Sequence, residues 1–313
     1  MITATSRATN TSLTMNRLVV IAGATGVGKT DTAIELSRMI DAPIVSCDSR
    51  QFYREMTIGT AVPSPEQLAA AEHHFIHSRS VFDPYSCGEY AEEALELIDE
   101  LFKSHDYVIL TGGSGLYIDA VAEGFDRIPS DESVRGELTE RYRSEGLDGL
   151  LEQLRKLDPQ YYDKVDRHNP QRVIRALEVC LITGEPYGRL RSGGGKSRSF
   201  ETIYIMVDRP RPELYGRIDR RVEAMMAAGL EEEARRLHPY AGLNALMTVG
   251  YRELFDCFDG KHDMQTAVEL IKRNTRRYAK RQLTWFRRNK GYALFSPDEP
   301  RKIAEYILDY GNT

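Results

Sequence analysis

The sequence predicts an α/β protein of the P-loop NTPase-like type: a parallel sheet with helices on both faces and a mainly helical insertion. Three observations carry this. A glycine-rich stretch, "GATGVGKT" from Gly23 to Thr30, follows a short apolar run and opens a helical period. Short apolar runs alternate with amphipathic helical stretches, the pattern of buried parallel strands joined by crossover helices. Between residues 129 and 199 the texture changes to charged, amphipathic helix before another apolar run returns the chain to the sheet.

The elements follow in order. The first sixteen residues, "MITATSRATNTSLTMN", are rich in Ser and Thr and hold neither an acid nor a helical stripe; a disordered tail is expected, with Met15 as an alternative start. In "RLVVIA" the run "LVVIA" is short and continuously apolar, as a strand buried on both faces should be, and the helix after the glycine loop is expected from Lys29 to Ile40. "PIVSC" and "YVILT" read as further strands on either side of a helix around "GEYAEEALELIDELF". The core is thus expected over 17–128 and 200–313, and the insertion over 129–199. Its best helical stretches are "SVRGELTERYRSEGLDGLLEQLRKL" and "NPQRVIRALEVCLITGEP". "RSGGGKSRSF" reads as a mobile loop, because no buried strand precedes it as a phosphate cradle requires. "TIYIMV" is the returning strand, and the remainder reads as helical.

Composition excludes several classes. The 313 residues suffice for one large domain or two ordinary ones. With 42 basic and 47 acidic residues the net charge is −5, which argues against a wholesale polyanion binder and leaves the question to local distribution. No apolar run approaches the ~18 residues of a membrane span. The cysteines, Cys47, Cys87, Cys180 and Cys257, form no C-x-x-C pair, so neither a zinc nor a disulfide framework is indicated and a reducing cytoplasm is expected. "EHHFIHSRS" offers His73, His74 and His77, but neighbouring histidines point in different directions and no zinc-enzyme motif accompanies them.

In G-x-x-x-x-G-K-T the glycines let backbone N–H groups converge on an anion, and the helix aims its positive end at the same point. Lys29 adds a charge, and the Thr30 hydroxyl can sit on Mg²⁺. A nucleotide hydrolase also needs an acid at a strand end, yet "YVILTGGSG" ends in Thr111 and glycines. Asp208 ends another strand and reads more simply as a turn or capping acid. Asp48, Ser49, Arg50, Gln51 and Tyr53 crowd the end of "PIVSC", where ligands of parallel sheets bind. From Lys272 to Lys290 the chain carries nine cations and no acid, with Lys272, Arg276 and Lys280 on one helical line and Arg273, Arg277 and Arg281 on the next. Tyr278, Trp285 and Phe286 lie between them, and Trp285 is expected in the core. These residues alone leave open a kinase or NTPase, a group transferase, and an RNA-binding protein with a regulatory phosphate loop.

Six segments in order, "GATGVGKT", "DSRQFY" with "IGTA", "GGSGLY", "NPQRVIRALEV", "TVGYREL" and "RRYAKRQLTWFR", resemble the tRNA dimethylallyltransferase family of bacterial type over nearly the whole chain. The resemblance implies transfer of a dimethylallyl group from dimethylallyl diphosphate to the exocyclic amino group of the adenosine 3′ of the anticodon. The loop Gly23, Ala24, Thr25, Gly26, Val27, Gly28, Lys29 and Thr30 would then hold the pyrophosphate, with Mg²⁺ near Thr30. Asp48 is expected to accept the amine proton, and Ser114 stands where the family often has threonine. Arg221, with Arg217 second, would complete the diphosphate clamp. The tRNA would meet Asp48, Ser49, Arg50, Gln51, Ser114, Arg135, Gln171, Arg172, Gly250, Tyr251, Arg252, Arg277, Lys280, Arg281, Gln282 and Arg287. A monomeric cytoplasmic enzyme is expected.

Overall fold

The structure, a computed structural model, describes residues 15–124, 128–190, 197–288 and 291–311. The expected tail over 1–14 and most of the glycine-rich loop at 191–196 lie outside the described residues. Strands β1 (Arg17–Ala22), β2 (Ile44–Ser46), β3 (His73–His74), β4 (Tyr107–Gly112), β5 (Glu201–Val207) and β6 (Ala293–Phe295) form one sheet in the order β3-β2-β4-β1-β5-β6. Every pairing is parallel.

Period two explains why β1 is apolar from Leu18 to Ala22. Leu18, Val20 and Ala22 enter one core cluster, while Val19 and Ile21 enter the opposite one. Helix α1 (Lys29–Ile40) covers the second face. Next come α2 (Pro65–Ala70), α3 (Cys87–Leu101) and α4 (Gly115–Ala122); α3 and α4 supply Tyr90, Ala94, Ile98 and Ile118 to the first face. The neighbouring strands β1 and β4 therefore send their chains to opposite faces, opening a crevice beyond their carboxyl ends. Two strands escape the sequence patterns: β3 and β6 have two and three residues, too few to display a period.

The chain folds as two compact units, Met1–Ala122 with Arg198–Thr313, and Glu123–Ser197. The second unit contains α5 (Glu132–Glu145), α6 (Asp148–Leu157), α7 (Pro159–Tyr162), α8 (Pro170–Thr183) and α9 (Tyr187–Leu190) around Leu138, Leu154, Val173 and Leu177. Gly146 at φ 81° ends α5, so the stretch that reads as continuous helix is two helices.

After β5 come α10 (Arg211–Ala227), α11 (Leu230–Leu237), α12 (Tyr251–Phe258), α13 (Met264–Phe286) and α14 (Pro300–Asp309). Val222, Leu230, Leu254 and Ile271 join α10 to α13 in a third cluster, and α14 packs beside α1 through Ile303 and Ile307. No helix among the described residues is long and apolar enough to cross a membrane.

Candidate active site

The phosphate loop takes the shape its glycines permit. Gly26 and Gly28 have φ of 80° and 115°, in the left-handed region that side chains disfavour. The first N–H groups of α1, which a helix leaves without internal partners, then face a common point. Lys29 folds back and its Nζ donates to Ala24 O at 2.9 Å. Two arginines of α10 brace the loop: Arg217 Nε donates to Gly26 O (3.0 Å), and Arg221 Nη1 to Thr25 Oγ1 (3.4 Å). Arg209, which carries no sequence signal, holds the other side by donating to Val27 O at 2.8 Å.

A cavity of about 710 Å³ opens over this loop. It is lined by Thr25, Gly26, Gly28, Lys29 and Thr30, by Asp48 to Gln51, and by Arg217 and Arg221. Gly250, Arg252, Tyr278, Arg281 and Gln282 complete it from α12, α13 and their approaches. Five stretches far apart in sequence thus meet at one place. Gly23, Ala24 and Val27 support the loop from beneath; Ala24 and Val27 are fully buried.

The electrostatics are those of an anion site. Burial, with Arg221 beside it, pushes the Lys29 ammonium down to about 8, while Asp48 acts in the opposite direction. Burial likewise lowers Arg221, aided by the Arg217 charge and opposed by Asp48. Three cations therefore converge where Asp48 is the facing carboxylate, and a bound diphosphate would relieve their repulsion. Thr111 and Gly112 end β4, where a hydrolase would carry its acid, and the Thr111 hydroxyl donates to Ile21 O at 3.3 Å. Asp208 is turned to other work: Oδ1 accepts the Arg209 N–H and Oδ2 accepts Arg287 at 3.0 Å.

Asp48 follows β2 and is fixed by its own turn, Oδ1 accepting the Arg50 N–H at 3.0 Å. Ser114 sits behind it. Ser49 N–H donates to Ser114 Oγ (3.3 Å), and Ser114 Oγ donates to Ser49 Oγ (3.2 Å). Burial, reinforced by the Asp48 charge, pushes the Tyr278 phenol up to about 12 against a hydrogen bond with Ser114. Tyr278, interleaved in the basic stretch, is thus a neutral hydroxyl at the cavity wall.

Other expected RNA contacts take varied positions. Gln282 and Tyr251 are buried, Gln282 at the cavity wall and Tyr251 behind it. Arg50 Nη1 donates to Asn244 O and Ala245 O, both at 3.1 Å. Gly250 adopts φ 102° ahead of α12, with Arg252 exposed beside it. The basic lines of α13 part company. Lys272 pairs with Glu223 and Glu269, and Arg276 with Asp219, tying α13 into the protein. Arg277, Lys280 and Arg281 are exposed and make no ion pair among the described residues, whereas Arg287 pairs with Asp208. Trp285 is half-buried, its Nε1 donating to Asp119 Oδ2 at 3.1 Å. In the second unit Gln171 and Arg172 are exposed. Arg135 there grips the fully buried Glu178 with two hydrogen bonds of 3.0 Å, a structural use for a side chain expected at the RNA.

Mg²⁺ would find hard oxygen donors here, the Thr30 hydroxyl and the Asp48 carboxylate, beside the diphosphate cradle. Among the described residues no group of three or more His, Cys, Asp or Glu side chains could hold a metal ion. Such a donor set suits an ion bound mainly through substrate phosphates and water.

A P-loop fold whose cavity joins an anion cradle to the Asp48 carboxylate, with no acid ending β4 and the acid after β5 held by Arg209 and Arg287, defines a group-transfer enzyme with a phosphorylated donor. Known proteins make the class specific. The model of the IPP transferase family matches residues 51–289. A tRNA dimethylallyltransferase of Flavobacterium johnsoniae is 48% identical, the match covering 94% of this chain and 98% of that protein. The tRNA dimethylallyltransferase 2 of Porphyromonas gingivalis is 52% identical, covering 90% and 94%. A solved tRNA isopentenylpyrophosphate transferase of Bacillus halodurans aligns with a TM-score of 0.69 at 34% identity, covering 94% of this chain and 96% of that one. The chain belongs to the IPP transferase family, that of the tRNA dimethylallyltransferases.

Proposed function

We propose that the protein transfers a dimethylallyl group from dimethylallyl diphosphate to the exocyclic N6 of the adenosine immediately 3′ of the anticodon in tRNA, releasing pyrophosphate. One observation carries the reading: Lys29, Arg217 and Arg221 converge with the start of α1 on the cavity that Asp48 faces. As the allylic C–O bond breaks, negative charge grows on the pyrophosphate, where these fixed donors stabilise it. The N6 lone pair forms the new C–N bond, and the Asp48 carboxylate takes the proton the amine loses. Mg²⁺, when bound at Thr30, would neutralise further charge on the leaving group.

An adenosine within a folded anticodon loop must leave its stack to reach a carboxylate in a cavity. Arg277, Lys280 and Arg281 offer exposed phosphate contacts on α13, and Arg281 and Arg252 bring positive charge to the cavity wall. A monomer working in the cytoplasm belongs to the same reading. Incubation with labelled dimethylallyl diphosphate and unmodified tRNA tests it: label should enter the tRNA. Phosphoryl transfer or phosphate release from ATP, with unlabelled tRNA, would replace it with a kinase or NTPase.

A further inference from the structure

Glu233 lies on α11 within a run of three glutamates, yet it alone of the three is buried. Its carboxylate receives four hydrogen bonds. Oε2 accepts the N–H groups of Thr57 and Ile58, both at 2.9 Å; Oε1 accepts the Gly59 N–H at 2.9 Å and the Tyr251 hydroxyl at 2.6 Å. Two carboxylate oxygens offer about four acceptor positions, so this charge is satisfied by fixed dipoles, with no ion pair to Glu233 among the described residues.

The loop so held reaches the cavity within one turn. Ala61 N–H donates to Ile58 O (3.0 Å) and Val62 N–H to Thr57 O (3.2 Å), so residues 60 and 61 are set by 57 and 58. Gln51 Nε2 donates to Thr60 O (3.2 Å) and Ala61 O (2.9 Å). Both acceptors are carbonyls, so the amide must turn its nitrogen to them and leave Oε1 to accept from a ligand. Gln51, Gly59, Thr60 and Ala61 line the same cavity as Asp48. The chain of contacts also needs Gly59 to be glycine: a Cβ there would meet the Tyr251 ring at 2.6 Å.

We propose that Glu233 is a positioning residue for the acceptor side of the site, acting through the 57–61 loop to fix the Gln51 amide. It touches no substrate. The anionic carboxylate matters because three backbone N–H groups converge on it; glutamine would confront them with an amide nitrogen. Tyr251 fixes the carboxylate in turn, which gives this buried tyrosine of "TVGYREL" its place in the site.

The proposal rests on the prenyl-transfer reading for its main readout. The experiment compares the full chain with Glu233→Gln, Tyr251→Phe, Gln51→Ala and each of the first two combined with Gln51→Ala, measuring kcat, KM for both substrates, tRNA affinity and thermal midpoint. Glu233→Gln should lower kcat/KM for tRNA roughly tenfold or more while the donor KM stays within about twofold. Tyr251→Phe, which keeps all three loop bonds, should lose less. In the Gln51→Ala background neither should cause a further loss, because the group they position is gone. Additive losses, or an equal rise in donor KM, would show Glu233 to be a general stability element and overturn the proposal. Absence of turnover by the unaltered chain counts against prenyl transfer instead, and the coupling is then read from tRNA affinity. If Glu233→Gln fails to fold, Tyr251→Phe carries the same test.

Discussion

Gln282 reaches from α13 to the phosphate loop and ties it to the end of β4. Its Oε1 accepts the Thr25 N–H and its Nε2 donates to Gly113 O, each at 2.9 Å. A Cβ on Gly113 would stand 2.2 Å from Gln282 Nε2, so a side chain there would displace the amide and break the tie. The tie connects the helix that carries the exposed cations to the loop that carries the anion cradle. Gln282→Ala should cost roughly 1–3 kcal/mol of stability through two buried groups left without partners. Donor KM should rise as the loop loosens. A thermal melt with steady-state kinetics measures both, and an unchanged donor KM would confine Gln282 to packing.

Lys29 makes the site sensitive to pH. In the unfolded chain it titrates near 10.5, and in the folded one near 8. The folded protein releases this proton first, so its unfavourable contribution is fully present below the folded value and is relieved as pH rises from about 8 towards 10.5. A bound diphosphate restores the charge, so donor binding should take up a proton between those values and weaken as pH climbs. Calorimetry at about pH 9 in buffers of different ionisation heat measures that uptake. Lys29→Met should abolish it; zero uptake by the unaltered chain would contradict the assignment.

The Asp48 carboxylate accepts the backbone N–H of Arg50 and contributes to the cavity wall. Asp48→Asn should keep the turn, since an amide oxygen still accepts from Arg50, and remove the base. Turnover should fall on the order of 10²–10⁴-fold with donor and tRNA binding nearly intact. Binding lost in proportion to turnover would make Asp48 a structural residue.

The paired and the exposed cations of α13 should separate in a salt titration. Neutralising Arg277 and Arg281 should lower the salt dependence of tRNA binding by about 2 in the logarithmic slope, roughly 0.9 per phosphate lost. Neutralising Lys272 and Arg276 should leave that slope alone and lower the melting temperature, because their partners Glu223, Glu269 and Asp219 lose their cations. Equal slopes for both pairs would abolish the distinction.

In the second unit, Arg135→Ala should destabilise by about 1–3 kcal/mol, since Glu178 keeps Arg175 but loses a two-pronged partner. If the melt is unchanged and only tRNA affinity falls, Arg135 serves the RNA and not the fold.

By itself the sequence determined the periodic and the covalently local: β1, α1 and the phosphate loop stand where "RLVVIAGATGVGKT" puts them, because burial on both faces and left-handed glycines leave a direct trace in residue order. Asp48 was visible for the same reason, as an acid at a buried strand's end. Only the tertiary structure could decide among chemically equal neighbours. Nothing in "LEEEARRL" separates Glu233 from Glu231 and Glu232, and nothing in "KRNTRRYAKR" separates Arg276, paired with Asp219, from exposed Arg277. A charged residue's role is set by the partners that folding brings to it, and those partners lie tens to hundreds of residues away. Neither the brace of Arg209 nor the tie of Gln282 is legible in residue order, for the same physical reason.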